Sequence, residues 1–378
     1  MKQKSFFCRI LSGISLLLLL TACTPSGQQT SLTSEEEEFP VSEFPAANLS
    51  IPALPVEEEG KIKGVWVSYL EFDHMLKGRS EKKYRANIQD MVKNCKEQEL
   101  NTLIVQVRSH GDAYYPSQYY PWSVHVTGSP QKGCSFDPLK ILIEEAQKED
   151  LSVHAWINPY RLMQEEEMEL VSKDYKIREW YQNDSYMEKG TDGYWYLNAG
   201  NDEVQELIVN GIQELITNYD LDGIQIDDYF YDKVKPKAFG ESDKEGRENV
   251  TQMVKKIYQC VKNQDAELLF GISPAGNFRE SPVSDSTQLT DLSLWCTEEG
   301  YLDYVAPQIY WDFEDPEAPF LEVLEKWENL VKDSPVRLYV GLAAYKFSES
   351  EILEEEMKTV LEREVPQGYF LFRYDNLV

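Results

Sequence analysis

The chain has 378 residues, with 37 Lys and Arg against 66 Asp and Glu, a formal net charge of −29. That charge excludes a nucleic-acid binder, which needs basic surface to displace counterions from phosphates, and it excludes docking to anionic membrane through a polybasic patch. The 42% of hydrophobic residues can build a large core, so wholesale disorder is excluded too, and an aromatic content of 12% points toward sugars.

At the N-terminus, Lys2, Lys4 and Arg9 precede an apolar run from Ile10 to Leu20. The run is too short to span a bilayer, which takes about 20 residues, and reads as an export signal. It ends in Leu20-Thr21-Ala22-Cys23, which looks like a bacterial lipobox, so residues 1–22 are expected to be removed and Cys23 to carry lipid. Residues 23–60, with Glu35-Glu36-Glu37-Glu38 and Glu57-Glu58-Glu59, hold too little apolar surface to offset ordering entropy and read as a tether. The expectation is an extracytoplasmic monomer, lipid-anchored to the cell membrane, whose folded domain is 61–378. Cys95, Cys134, Cys260 and Cys296 form no CxxC pair, and neither a metal nor another cofactor is expected.

From Lys61 onward eight β-rich runs follow: 62–69, 102–108, 151–158, 222–227, 268–273, 303–310, 337–343 and 368–373. Amphipathic helical patterns separate them, such as Ile88, Met91, Val92 and Cys95. Asp137-Pro138 and Asn201-Asp202 read as helix starts. This α/β alternation predicts a (β/α)8 TIM barrel. Long loops follow the second and third strands, and only residues 374–378 follow the eighth, leaving the eighth helix in question.

Alternate residues of a barrel strand face the interior and the outer helices. On the interior parity fall Gln106 and Arg108, then His154, Trp156 and Asn158, then Gln225 and Asp227, then Gln308, Tyr310 and Asp312. Buried polar groups cost free energy unless paired, so their accumulation toward strand C-termini marks the C-terminal mouth as the site.

These same segments resemble the bacterial glycosyl hydrolase-like 10 family. The blocks are GVWVSYLEF (64–72), NTLIVQVRSHGDAYYPS (101–117), FDPLKILIEEAQKEDLSVHAWINPYR (136–161), YDLDGIQIDDYFY (219–231), ISPAGNF (272–278) and YLDYVAPQIYWDF (301–313). The resemblance implies a (β/α)8 hydrolase of the cell envelope acting on polysaccharide such as peptide-free peptidoglycan strands.

Glycoside hydrolysis generally takes two carboxyl groups, one giving a proton and one acting as nucleophile or base. Asp227 fits the second role, and Asp228 or Asp312 the first, with Glu71 and Asp112 as lesser candidates; Asp228 alone could instead cap a turn. Family 18 chitinases end their fourth strand DGxDxDxE, whereas DGIQIDDY here puts Gln225 at the middle Asp and Tyr229 at the catalytic Glu. Substrate contacts are expected from Arg108, Asp112, Asn158, Tyr160, Arg161, Tyr229, Gln308, Tyr310 and Trp311, the last as a stacking platform. Tyr114, Tyr115, Tyr119, Tyr120 and Trp122 in one loop, and Trp180, Tyr181, Tyr186, Tyr194, Trp195 and Tyr196 in the other, are candidates to line a groove, with roughly half of them open to packing the loops onto the barrel instead. A barrel holding these side chains without a competent acid would bind glycan and not cleave it.

Overall fold

The computed structural model describes residues 60–227, 230–231, 233–277, 289–347 and 350–377. The signal, Cys23, the tether, Asp228 and Tyr229 therefore lie outside the described residues. In chain order the strands are β1 (Ile62–Val67), β2 (Thr102–Arg108), β3 (Ser152–Ile157), β4 (Arg161–Gln164), β5 (Met187–Lys189), β6 (Tyr194–Leu197), β7 (Gly223–Asp227), β8 (Leu269–Ser273), β9 (Tyr304–Val305), β10 (Arg337–Leu342) and β11 (Pro366–Leu371). Eight of them close a barrel in the order β1-β11-β10-β9-β8-β7-β3-β2, with parallel pairing throughout. The expected (β/α)8 barrel is present.

Two strands are shorter than the residue pattern suggests. β1 stops at Val67 because Ser68 caps the helix Tyr69–Met75, its side chain and that of Glu71 forming a reciprocal capping box. β9 stops at Val305 because Pro307 has no N–H to give the ladder; Gln308 then makes single bridges to Ala275 and Gly341. The long segment after β3 is not a plain loop. It folds into a three-stranded antiparallel sheet, β4-β6-β5. Its strands of three and four residues are too short to show a period, although Gly190 and Gly193 mark its hairpin turn.

Alternation partitions the core as expected. Trp66, Ile104, Trp156, Tyr304, Ala306, Tyr339 and Phe370 form one buried cluster inside the barrel. Val65, Val67, Leu103, Val105, Ile224 and Ile226 belong to the larger cluster shared with the helices. Gly271 is required here, since a Cβ at that position would come within 2.2 Å of the Tyr304 ring. His154 is a satisfied core histidine: its Nδ1 lies 3.0 Å from the Tyr304 hydroxyl, and burial pushes it down to about 4, so it is neutral at pH 7.

The helix starts agree with the sequence. Asp137 accepts from the Lys140 N–H ahead of Pro138, and Asn201 accepts from the Glu203 and Val204 N–H groups. After β11 the described chain makes only the 3-10 turn Tyr374–Asn376. Cys95, Cys134, Cys260 and Cys296 are free thiols.

Candidate active site

At the C-terminal ends of the barrel strands lies a cavity of about 200 Å³. Its wall is built by interior-facing Trp66, Gln106, Trp156, Gln225, Asp227 and Ser273, and its rim by Ser68, Tyr69, Leu70, Arg161, Gln308, Tyr310 and Phe372. Asp227 is the only acidic side chain among these, and it is 4% exposed. Its Oδ2 accepts from Asn158 Nδ2 at 2.5 Å and from Trp156 Nε1 at 3.2 Å. The Asn158 amide is fixed in turn, because its Oδ1 accepts from Gln106 Nε2 at 2.7 Å. Gln106 Oε1 takes the backbone N–H of Tyr69 at 3.1 Å. This line of amides runs from β1's exit to β7 and aims an amide donor at the carboxylate, a charge-assisted hydrogen bond. Two residues below Asp227 on the same face, Gln225 accepts from Trp66 Nε1 at 2.6 Å.

Several expected site residues join this cavity. Gln308 lines it while donating to the Ser273 carbonyl at 3.0 Å, Tyr310 lies on its rim stacked with Phe372, and Arg161 lines the opposite side with Nε bonded to the Ser109 carbonyl at 3.1 Å. Asn158 braces Asp227 as described.

Others lie elsewhere. Arg108 does not reach the mouth. The β2–β3 register shifts between Gln106 and Arg108, so the residue between them bulges and Arg108 pairs with outward-facing Ile157. Its guanidinium is buried, 4.3 Å above the Tyr120 ring, against Gly211 of the helix Asp202–Asn218, where a Cβ would sit 2.4 Å from Nη1. Tyr160 is buried in the outer core beside Phe230. Asp112 is 1% exposed and closes its own turn, Oδ1 accepting from the Ser109 and His110 N–H groups. Trp311, on the opposite parity to Tyr310, packs against the outer core. Glu71 is consumed by its capping box and by an ion pair with Arg373 at 2.5 Å. His110 is stacked on Tyr194 at 5.1 Å, and burial, with Arg161 and His125 adding to it, holds the ring well below the usual histidine range.

Asp312 lies outside the cavity lining, its Oδ1 accepting from the Glu314 N–H at 2.9 Å. It faces a buried neighbour instead. Burial pushes the Glu356 carboxyl up to about 8, Asp312 adds to the effect, and Lys346 opposes it. Both Glu356 carboxylate oxygens lack a hydrogen-bond partner among the described residues. Between the ordinary value of 4.5 and pH 8 the folded chain holds this proton and the unfolded chain does not, so stability falls as pH rises through that window. Glu356→Gln is therefore expected to raise the melting temperature at pH 8 by several degrees and to leave it unchanged at pH 4. A thermal scan at the two pH values checks this.

The aromatics of the two long segments stand apart from the wall of this cavity. Tyr114, Tyr115, Tyr120, Trp180 and Tyr196 are buried, and none of the eleven rings expected there belongs to the cavity wall. The rings that do line it are Trp66, Tyr69, Trp156, Tyr310 and Phe372. Carrying the strand parity into the first and eighth strands would have found Trp66 and Phe372, which share a face with Gly64 and Phe370 respectively. Among the described residues no group of three or more His, Cys, Asp or Glu is placed to hold a metal ion.

A closed parallel barrel with a buried, amide-braced carboxylate at its C-terminal mouth has the architecture of the (β/α)8 glycoside hydrolases. Residues 61–358 match the glycosyl hydrolase-like 10 family, and the chain belongs to it. It is 34% identical over 331 residues to the glycosyl hydrolase YngK of Bacillus subtilis, a match covering 79% of this chain and 64% of that protein. The chain thus spans a little under two thirds of that relative's length. It is 29% identical to the glycosyl hydrolase DigH of Escherichia coli K12, covering 96% of this chain and 92% of the other. In fold it is similar to the glycoside hydrolase domain of PgaB (BpsB) from Bordetella bronchiseptica, with a TM-score of 0.58 at 14% identity, covering 84% and 95% of the two chains.

Proposed function

We propose that this protein is a glycosidase of the cell envelope, cleaving polysaccharide, foremost the glycan strands of peptidoglycan, while Cys23 holds it to the membrane through lipid. The observation that carries the reading is Asp227, a single carboxylate fixed by Asn158 and Trp156 in the wall of the mouth cavity. Asp227 acts as nucleophile or base on the anomeric side of the scissile bond. Asp228, the next residue in the sequence and outside the described residues, is the general acid. Asp312 is set aside for this role because it is absent from the cavity lining. Arg161, Gln308 and Tyr310 bind hydroxyl, amide or carboxylate groups of the sugars.

The test is incubation of the purified protein with peptide-free and with intact peptidoglycan, with and without chelator. Shortened glycan strands, released equally with chelator present, are the expected result. Binding without any change in strand length would instead support a glycan-binding protein, a reading favoured only by the single carboxylate among the described cavity residues. Release abolished by chelator would sink the paired-carboxylate mechanism.

A further inference from the structure

Beside the cavity, three rings from three consecutive barrel connections meet. Tyr310 follows β9, Tyr345 follows β10 and Phe372 follows β11. Tyr310 and Phe372 are stacked at 6.0 Å and 29°, and the Tyr345 ring is near-perpendicular to both, at 5.9 Å and 6.0 Å, with Lys346 Nζ 5.7 Å from its centroid. Tyr310 and Phe372 line the cavity, whereas Tyr345 lies outside it and is 46% exposed. A ring whose task was to close the core would be buried, as Tyr339 on β10 is at 2%.

The backbone that carries the exposed ring is also held firmly. The Tyr345 N–H donates to the Phe372 carbonyl at 3.1 Å, and Lys346 Nζ donates to the Tyr310 carbonyl at 2.8 Å. Two hydrogen bonds therefore cross-link all three connections, and little further ordering is needed when a ligand lands on them. Around the barrel, β10 is four strands from β3, so Tyr345 and Arg161 mark opposite rims of the mouth.

We propose that Tyr345, backed by Tyr310 and Phe372, is a stacking subsite for a glycosyl unit outside the cavity, so that the glycan lies across the mouth from Arg161 toward Tyr345. The proposal rests on the glycosidase reading above and adds to it a preference for chains over single sugars. The apolar C–H face of a pyranose packs on an aromatic ring, and its hydroxyls remain in water. A short glycoside fills the cavity alone and never reaches Tyr345. A longer glycan reaches it.

The experiment compares Tyr345→Ala, Tyr345→Phe and wild type on an aryl monosaccharide glycoside and on peptide-free glycan strands of defined length, by KM and by calorimetric Kd. For the long strands Tyr345→Ala is expected to raise KM and Kd roughly five- to tenfold, the size of one aromatic contact. The short glycoside is expected to be unaffected, and Tyr345→Phe to behave as wild type on both. Unchanged long-strand KM and Kd in Tyr345→Ala would overturn the subsite, and so would equal losses on short and long substrates. A phenylalanine variant as poor as the alanine one would also overturn it, because the hydroxyl and not the ring face would then be the contact. Length-dependent binding that responds to Tyr345 in a protein that cleaves nothing would uphold the subsite while overturning the glycosidase reading.

Discussion

Asp227→Asn is expected to reduce glycan cleavage by at least about 10³-fold while leaving the fold and glycan binding in place, the loss typical when a group central to proton transfer or covalent chemistry is removed. The substitution keeps the side-chain shape, and the new amide oxygen can still accept from Asn158 and Trp156, which now donate to Asp227 Oδ2. What disappears is the negative charge and basicity. Turnover on peptide-free peptidoglycan, with a melting curve and a pull-down on the same material, separates the two effects. An Asn variant that retains more than a tenth of wild-type turnover would remove Asp227 from the chemistry and return the search to Asp228 and Asp312.

The second large effect concerns the amides behind Asp227. Asn158→Ala removes the shorter of the two donors to its carboxylate seen among the described residues, and loss of one preorganised donor at a reacting centre costs about 10²-fold in turnover. Gln106→Leu acts one step further back, by letting the Asn158 amide turn, and about tenfold is expected. The Asn158 donor fixes the orientation of the carboxylate, as a nucleophile or base needs. A fall in kcat at unchanged KM and unchanged melting temperature distinguishes this from mere loosening of the barrel. Because Gln106 reaches Asp227 only through Asn158, the double variant should be no slower than Asn158→Ala alone. Additive losses would show that Gln106 acts by another route.

Much of the architecture was legible in the residues. Eight β-rich runs separated by helical periods gave the barrel, and alternation along 151–158 and 222–227 correctly assigned His154, Trp156, Gln225 and Asp227 to the interior. The caps at Asp137 and Asn201 follow from side chains that bond their own next turn, so they too are local facts. Arg108 was misplaced by the same alternation rule, because a bulge at the end of β2 changes the parity and leaves no mark in the sequence of β2 itself. The loop tyrosines and tryptophans divide: Tyr114, Tyr115, Tyr120, Trp180 and Tyr196 are buried, and composition is the same whether a ring closes a loop or faces a sugar.

What the sequence by itself determined is the barrel, the face on which Asp227 stands and the end of the barrel toward which polar side chains accumulate. These rest on periodicity, and periodicity is set by neighbours a few residues apart. Only the tertiary structure decided what surrounds that carboxylate. Asn158 and Trp156 lie 69 and 71 residues from Asp227 in the chain, and Gln106 lies 52 from Asn158. Such partners are chosen by strand order and register around a closed barrel, which no single segment encodes, and the same pairing of strands turned Arg108 away from the mouth and brought Tyr310, Tyr345 and Phe372 together at its rim.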